Sequence, residues 1–410
     1  MKEYRVLIVA GEASGEMYAA ELVRQIQRQA RKPVSFFGCA GQAMRQAGVE
    51  AIVTVEQISV HGFVEVLSHL EYLFDGFLKI LAAAEQRKPD LVILVDFPDF
   101  NIRLASRLKT RGVRIVYFIS PQFWAWRRGR LRVLRRLIDK MICILPFEKK
   151  FYQDMGIPVE YVGHPLVEML KVEGGQEEFF LQFGIDSNRP RVALLPGSRK
   201  NEIRHNLFPI LDTVVRLHSN RPEIQFILAV SSSVGRAFIT LGIEKWQRAR
   251  NQVAPVKVIE EYTREIMKYS NLAVISSGTA TLEAALLGVP LICVYKVAPL
   301  SWWIGQKLID VDYYCLVNLI LNRGVVPELY QSDFSPRSLE REVLKLLEDR
   351  AARQAMLEEV AALKAILSTG HSPMAKAAQI VLSHLETQTV KVESKQVTLE
   401  PAAVVSGNPE

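Results

Sequence analysis

The feature that most constrains the fold is a repeated alternation between short apolar runs and longer amphipathic segments. Each run has the length of a strand, and each segment that follows has the length of a helix. Parallel strands need a helix-length crossover, so the alternation predicts a parallel sheet covered on both faces. The predicted strands of the first unit are 5–10, 34–38, 91–95, 114–119 and 141–145, and its predicted helices are 16–29, 64–86, 102–111 and 130–138.

The same pattern restarts after a polar, Gly-containing stretch at 173–178, which we interpret as a linker region. Two doubly wound α/β units would bind ligands in a cleft at the carboxyl ends of their strands. The second unit is predicted to contain strands 191–195, 225–230, 256–259, 272–275 and 291–295, and helices 202–217, 263–270 and 281–287. We therefore expect domains at 1–170 and 185–340, C-terminal helices at 341–385 and a disordered tail at 387–410.

Positive charge is concentrated in one part of the chain. The 410 residues carry a formal net charge of +7, yet residues 103–150 contain 14 Lys or Arg and only two Asp or Glu. The rest of the chain is therefore net negative. A local basic segment indicates a local anionic partner rather than a generally basic protein.

Cysteine spacing and hydropathy favour a cytosolic location. The four cysteines are far apart, with no CxxC pair, so neither a zinc pattern nor a disulfide framework follows. The N-terminal apolar run at 6–9 is too short for a signal peptide. No window holds the about 20 apolar residues of a spanning helix, so we expect a protein that is soluble or lies on a membrane surface.

Two turns of small residues precede predicted helices in the second unit. Residues 276–281 (Ser-Ser-Gly-Thr-Ala-Thr) leave the first N–H groups of a helix open, and the helix dipole favours negative charge there. That turn predicts a phosphate site. In the second turn, Leu-Pro-Gly-Ser-Arg at 195–199, Arg199 offers a bidentate phosphate contact. Glu283 suits ribose hydroxyls, or it is an ordinary solvated helix residue.

Two loops that follow strands in the first unit carry carboxylates. Residues 11–16 (Gly-Glu-Ala-Ser-Gly-Glu) lack GxGxxG spacing, so Glu12 and Ser14 indicate sugar contacts or a plain helix cap. Residues 96–101 (Asp-Phe-Pro-Asp-Phe-Asn) place two carboxylates at the carboxyl end of a strand. One of the two suits a general base if its pKa is raised, or Asp99 or Asn101 simply caps the next helix.

Aromatic and basic residues are joined at 121–136, where two tryptophans precede six arginines. Nucleic acid and an anionic lipid surface both fit this composition, while a solvated helix face explains some of the arginines. The predicted helix at 64–84 has an apolar stripe wider than a surface helix needs, so it packs in the core or in part faces acyl chains. The apolar segment 299–304 likewise packs in the core or in part faces acyl chains. His164 is interpreted as a structural hinge residue.

In their order along the chain, these motifs resemble the lipid-A-disaccharide synthase family over roughly residues 4–385. The joint pattern is specific, although each motif alone is not. It departs from the family at Glu16, where Asp is usual. The motifs are Gly-Glu-Ala-Ser-Gly at 11–15, Pro-Asp-Phe-Asn at 98–101, Trp-Ala-Trp-Arg at 124–127, Pro-Phe-Glu at 146–148, Val-Gly-His-Pro at 162–165, Leu-Pro-Gly-Ser-Arg at 195–199, Ser-Gly-Thr-Ala at 277–280 with Leu-Glu at 282–283, and Asn-Leu at 318–319.

The resemblance implies a GT-B type glycosyltransferase fold, with two Rossmann-like domains facing a cleft. It implies inverting transfer from UDP-2,3-diacylglucosamine to 2,3-diacylglucosamine 1-phosphate, which yields a β-1,6-linked disaccharide 1-phosphate and UDP in lipid A biosynthesis. It implies no metal, no cofactor and no nucleic acid. The expected location is peripheral, on the anionic surface of the cytoplasmic face of the inner membrane, and a homodimer is left open.

Carried over residue by residue, the resemblance makes Asp99 the general base. The expected substrate-binding residues are Glu12, Ser14, Gly197, Ser198, Arg199, Ser277, Gly278, Thr279, Ala280, Glu283 and Asn318. The expected membrane or lipid contacts are Trp124, Trp126, Arg127, Arg128, Arg130, Val66, Leu67, Leu70 and Phe74. Two alternatives stay open: a UDP-sugar epimerase or other GT-B transferase with a soluble acceptor, and a non-enzymatic lipid- or nucleotide-binding membrane adaptor.

Overall fold

The chain forms two α/β domains, each built on one parallel sheet. The computed structural model describes residues 3–55, 66–121, 123, 131–231, 233–298, 302–303 and 311–396, without the side chains of 13–14, 66–71 and 387–396. Two doubly wound sheets were expected from the sequence, and this expectation is confirmed.

The first sheet has seven strands, and residues of its central strand are buried on both faces. Val6 and Ile8 lie in one apolar cluster and Leu7 and Val9 in the other. Burial on both faces explains the continuous apolar runs of the sequence. The strands are β1 (Tyr4–Ala10), β2 (Val34–Ala40), β3 (Val49–Thr54), β4 (Leu91–Val95), β5 (Ile115–Phe118), β6 (Lys140–Cys143) and β7 (Val159–Tyr161), in the spatial order β3-β2-β1-β4-β5-β6-β7.

The helices of the first domain connect these strands. They are α1 (Ala13–Gln29), α2 (Gln42–Gln46), α3 (Val66–Arg87), α4 (Pro98–Lys109), α5 (Leu131–Leu137), α6 (Pro146–Asp154) and α7 (Leu166–Met169). The two edge strands of this sheet, β3 and β7, were not predicted from the sequence. Strand β3 contains the exposed Glu50, and β7 has only three residues, so neither carries a clear apolar run.

The second sheet repeats the topology with six strands. They are β8 (Arg191–Leu195), β9 (Gln225–Val230), β10 (Val256–Glu260), β11 (Leu272–Ser276), β12 (Leu291–Tyr295) and β13 (Glu328–Tyr330), in the order β10-β9-β8-β11-β12-β13. The helices are α8 (Gln176–Phe183), α9 (Lys200–Asn220), α10 (Arg236–Arg250), α11 (Thr263–Lys268), α12 (Thr279–Leu286), α13 (Leu316–Leu321) and α14 (Pro336–Glu348). In each sheet the strand order reverses beside the first strand, and a crevice for ligands forms at that point.

The last two helices, α15 (Arg350–Leu367) and α16 (Pro373–Gln396), lead the chain back to the first domain. Helix α16 packs against α1, and Arg114 donates a hydrogen bond of 2.9 Å to the carbonyl of His384. The expectation of disorder from residue 387 is wrong for its first part, because α16 continues to Gln396. An established helix adds residues at little cost, even where the sequence lacks periodicity. Residues 397–410 lie outside the described part of the chain.

Candidate active site

The small-residue turn of the second domain forms an open helix N-terminus. Gly278 has φ +157° and precedes α12, and a Cβ placed on it would contact nothing within 4 Å. Thr279 and Ala280 open the helix and are partly exposed, so their N–H groups are available to an anion. The Ser277 hydroxyl fixes the turn by donating to the carbonyl of Tyr314 at 2.9 Å.

The second turn brings Arg199 to the same edge of the sheet. Gly197 has φ +140°, and a Cβ there would lie 2.6 Å from the Cβ of Glu202, so a side chain cannot be accommodated. The N–H of Ser198 donates to Glu202 Oε2 at 3.1 Å. Arg199 itself is the N-cap residue of α9 and points into the cleft with a side chain that is 54% exposed.

Asn206 joins these two turns and was missed by the sequence analysis. Its amide donates to the carbonyl of Pro196 at 2.9 Å and to Ser276 Oγ at 3.1 Å. Its carbonyl oxygen accepts from the N–H of Lys296 at 2.9 Å. In the sequence, Asn206 stands at an apolar position of the helix, and this is the signal that could have indicated its role. A polar side chain at such a position is buried and needs hydrogen-bond partners.

The two domains meet at an ion pair. Arg199 Nη2 lies 2.6 Å from Glu12 Oε2 of the first domain, and its Nη1 lies 3.2 Å from Glu202. Glu12 is the N-cap residue of α1. Two residues that were predicted from separate loops are therefore in contact, and the guanidinium of Arg199 lies opposite the first domain.

The glycine loop of the first domain packs on a strained dipeptide after β4. Asp96 and Phe97 have φ +45° and +48°, a left-handed conformation that is costly for residues with side chains. The ring of Phe97 fills the space beside Gly11, where a Cβ would come within 2.3 Å of the ring. The carbonyl of Asp96 accepts from Tyr117 Oη at 2.5 Å and from the amide of Asn101 at 2.7 Å, and these bonds hold the conformation.

The two carboxylates of this loop have different surroundings. Burial and the charge of Glu12 raise the pKa of Asp96 to about 7, while the N–H of Phe97 and the charge of Arg199 oppose the shift. Asp99 is exposed in the first turn of α4, where the helix dipole favours negative charge. The structure thus places one carboxylate that titrates near neutrality and one accessible carboxylate at the same edge of the sheet.

Glu283 lies in α12 and is held by a partner from α11. Its Oε2 is 3.2 Å from Arg264 Nε, and Arg264 also donates to the carbonyl of Met169 at 3.4 Å. Burial raises the pKa of Glu283, and the guanidinium of Arg264 opposes this shift. Glu283 is therefore not the ordinary solvated helix residue of the alternative interpretation.

Two residues singled out in the sequence make internal contacts. The amide of Asn318 donates to the carbonyl of Val326 at 2.8 Å and to Glu328 at 2.7 Å, and its oxygen accepts two backbone N–H groups. With 1% of its surface exposed, Asn318 holds the segment before β13, and its expected contact with the substrate stays a prediction. Glu16 accepts from the N–H of Met44 at 2.9 Å and so caps α2.

The expected lipid contacts are described only in part. Phe74 is 63% exposed on α3, where Tyr72 and Leu78 are also exposed. Helix α5 carries exposed arginines at 132, 135 and 136. Trp124, Trp126, Arg127, Arg128 and Arg130 lie outside the described residues, as do the side chains of Ser14, Val66, Leu67 and Leu70.

The described residues contain neither a membrane-spanning helix nor a cluster of metal ligands. None of their helices is long and apolar enough to cross a bilayer. Within the same ranges, no three His, Cys, Asp or Glu side chains gather as a metal site.

Known proteins match this chain over nearly its whole length. The family model described as Lipid-A-disaccharide synthetase matches residues 6–382. The lipid-A-disaccharide synthase of Nitrosococcus oceani is 42% identical over 365 residues, which cover 89% of this chain and 92% of that protein. The lipid-A-disaccharide synthase of Solibacter usitatus is 39% identical over 388 residues, which cover 95% and 99% of the two chains.

Solved structures share the fold at low sequence identity. UDP-GlcNAc 2-epimerase from Neisseria meningitidis, bound to UDP-GlcNAc, aligns with a TM-score of 0.62 at 13% identity, covering 94% of this chain and 100% of that one. The glycosyltransferase of kitacinnamycin aligns with a TM-score of 0.57 at 13% identity, covering 93% and 98%. These likenesses concern the fold alone, and the GT-B architecture is confirmed. Since the family model and the relatives each cover most of the sequence, the chain belongs to the lipid-A-disaccharide synthase family.

Proposed function

We propose that this protein condenses UDP-2,3-diacylglucosamine with 2,3-diacylglucosamine 1-phosphate and releases UDP and the β-1,6-linked disaccharide 1-phosphate of lipid A biosynthesis. The observation that carries the proposal is the family match over residues 6–382. The cleft supports it, because phosphate-binding groups of the second domain lie opposite carboxylates of the first.

The second domain holds the donor in this proposal. The pyrophosphate lies against the N–H groups of Thr279 and Ala280 and the guanidinium of Arg199. Arg199 is held by two carboxylates in the free protein, so the donor displaces Glu12 from it. Glu283 accepts the ribose hydroxyls, and Arg264 holds its carboxylate in place.

The reaction is a single displacement with inversion. Asp99 takes the proton of the acceptor 6-hydroxyl as that oxygen forms a bond to the anomeric carbon of the donor. The bond from that carbon to the phosphate oxygen breaks, and UDP leaves with the electron pair. Arg199 and the N–H groups of α12 stabilise the growing charge, a type of contact worth on the order of a few kcal/mol for each donor.

The acceptor reaches the site from a lipid surface. Tyr72, Phe74 and Leu78 expose apolar area on α3, and α5 exposes several arginines. Apolar side chains beside arginines suit an anionic headgroup layer. We place the protein peripherally on the cytoplasmic face of the inner membrane, where both acylated substrates would be available.

A comparison of acceptors tests this function. UDP release from UDP-2,3-diacylglucosamine is measured in two reactions. One contains the acceptor 2,3-diacylglucosamine 1-phosphate, and the other contains the same acceptor without its two acyl chains. We expect rapid release with the acylated acceptor and at least about tenfold slower release without the chains, because acyl burial contributes about 0.8 kcal/mol per CH₂. Equal rates would contradict the lipid acceptor and favour a transferase with a soluble acceptor.

A further inference from the structure

One tyrosine hydroxyl is buried beside the nucleotide turn without a partner. Tyr18 lies in the second turn of α1 with 3% of its surface exposed, and its Oη has no hydrogen-bond partner among the described residues. An unpaired buried polar group costs about 1–3 kcal/mol. Native structures keep few such groups, and one that persists calls for an explanation.

The hydroxyl lies within electrostatic range of two charged residues of the other domain. Burial is the main cause that raises the pKa of Tyr18; the charge of Glu283 adds to this shift, and the charge of Arg264 opposes it. Glu283 and Arg264 form an ion pair at 3.2 Å, and a bond from Arg264 to the carbonyl of Met169 anchors the pair. The ring of Tyr18 packs on His164, five residues before Met169, so Tyr18 of the first domain lies near the ion pair whose carboxylate receives the ribose in the proposed function.

The ring of Tyr18 is held in place. It packs edge-on against His164, with ring centroids 6.1 Å apart and an interplanar angle of 89°. His164 is fixed by two hydrogen bonds. Its Nδ1 accepts from the N–H of Leu166 at 3.2 Å, and its backbone N–H donates to the carbonyl of Leu367. Burial lowers the pKa of His164 to about 3, so this support stays neutral at physiological pH.

The chemistry of the group limits its role to donating a hydrogen bond. Burial keeps the pKa of Tyr18 well above its usual value, so the phenol stays protonated. A protonated phenol next to a carboxylate complements a vicinal diol, because the carboxylate accepts from the diol and the phenol donates to one of its oxygens. The ribose of a nucleotide carries such a diol.

We propose that Tyr18 completes the nucleotide subsite from the first domain: its hydroxyl donates to a ribose oxygen whose own hydrogen is accepted by Glu283. This inference rests on the proposed function, in which the donor carries UDP. It makes nucleotide binding depend on both domains, because Tyr18 belongs to the first domain and Glu283 to the second.

The test uses the full chain with UDP as the probe. UDP, 2′-deoxy-UDP and 3′-deoxy-UDP are titrated calorimetrically into the wild type and Tyr18→Phe, and the melting temperature of each free protein is recorded. We expect Tyr18→Phe to bind UDP about three- to tenfold more weakly, the worth of one hydrogen bond. We expect this difference to vanish with one of the deoxy analogues. The free variant should melt at the same or a higher temperature, because an unpaired hydroxyl has been removed.

Tyr152→Phe is the matched control. Tyr152 is also fully buried, but its hydroxyl donates to the carbonyl of Pro121 at 2.6 Å. This variant should melt at a lower temperature and bind UDP like the wild type.

Three results would overturn the inference. Wild-type affinity for UDP in Tyr18→Phe would show that the hydroxyl does not contact the nucleotide. A fall in its melting temperature would show that the hydroxyl already has a partner in the fold. If the wild-type protein itself does not bind UDP, the proposed function fails together with the inference.

Discussion

Arg199 lies between two carboxylates, so the positive charge of its guanidinium is partly neutralised in the free protein. Glu12 approaches it to 2.6 Å from the first domain and Glu202 to 3.2 Å from its own helix. The pair with Glu12 is exposed on both sides, at 54% and 38%, whereas the Glu202 side chain is only 11% exposed. Because exposed pairs contribute little to stability, we expect the contact with Glu12 to be released at low cost when a pyrophosphate binds Arg199.

Asp99 is the residue on which the proposed chemistry depends most. We expect Asp99→Asn to bind UDP like the wild type and to lose turnover by at least about 100-fold, since general-base catalysis contributes about 10²–10⁴-fold. Asp154→Asn is the control, because Asp154 is an exposed carboxylate of α6 that pairs with Lys150. Near-normal turnover of Asp99→Asn, measured by UDP release, would remove Asp99 from the mechanism.

Asp96 predicts a pH dependence of stability. Its pKa of about 7 in the fold lies above the ordinary value near 4, so the folded protein holds a proton that the unfolded chain releases. Stability should therefore fall as pH rises from about 4 through 7, and Asp96→Asn should remove this loss. The variant should gain on the order of 1–3 kcal/mol over the wild type at pH 8 and much less at pH 5, as measured by urea denaturation. A constant difference between the two proteins across that range would contradict the shift.

Local turns could be predicted from the sequence, whereas contacts with distant partners could not. The turns that contain Arg199 and Gly278 are visible in the sequence. The contacts of Asn206 and Asn318 are not, because their amides bond to carbonyls and N–H groups that only the folded sheet brings near. The contact of Glu16 with the N–H of Met44 likewise depends on the packing of α1 against α2.

At the level of elements, the central strands were predictable, and of the edge strands β10 was predicted whereas β3, β7 and β13 were not. Strands β1, β4, β8 and β11 are buried along their length or nearly so, and their continuous apolar runs mark them. The three missed edge strands are only partly buried, so polar residues interrupt their pattern. The end of α16 was misplaced for a related reason, because packing of its first part on α1 carries the helix into a segment without periodicity.

Helix α3 gives a prediction about the membrane surface. We expect the double variant Phe74→Ser with Leu78→Ser to bind anionic phospholipid vesicles at least about tenfold more weakly, because two exposed apolar side chains, 63% and 48% accessible, would be removed from the lipid contact. The control is Leu241→Ser on α10, a leucine of similar exposure at 47% in the other domain.

Salt provides the second measurement on the same vesicles. Wild-type binding should weaken as ionic strength rises, because salt screens the attraction between the exposed arginines of α5 and the anionic headgroups. Vesicle binding that ignores salt, or a double variant that binds like the wild type, would contradict the proposed surface.

In the whole molecule, the last helix ties the second domain to the first. Helix α16 begins after the second domain and packs on α1, with Val381 and Leu385 fully buried. We expect Leu385→Ala to lower the free energy of unfolding by about 2–5 kcal/mol, the usual cost of a cavity at a buried leucine. Glu386→Ala, which changes an exposed neighbour, should have little effect. Equal urea denaturation curves for the two variants would show that α16 does not stabilise the fold.

The products of the reaction distinguish the proposed condensation from its alternatives. The protein is incubated with UDP-2,3-diacylglucosamine and 2,3-diacylglucosamine 1-phosphate, and the products are identified by mass spectrometry and by the coupling constant of the new anomeric proton. We expect one UDP for each disaccharide 1-phosphate formed, with a β-1,6 linkage. UDP released without a disaccharide, a UDP-sugar changed only in configuration, or an α linkage would contradict it.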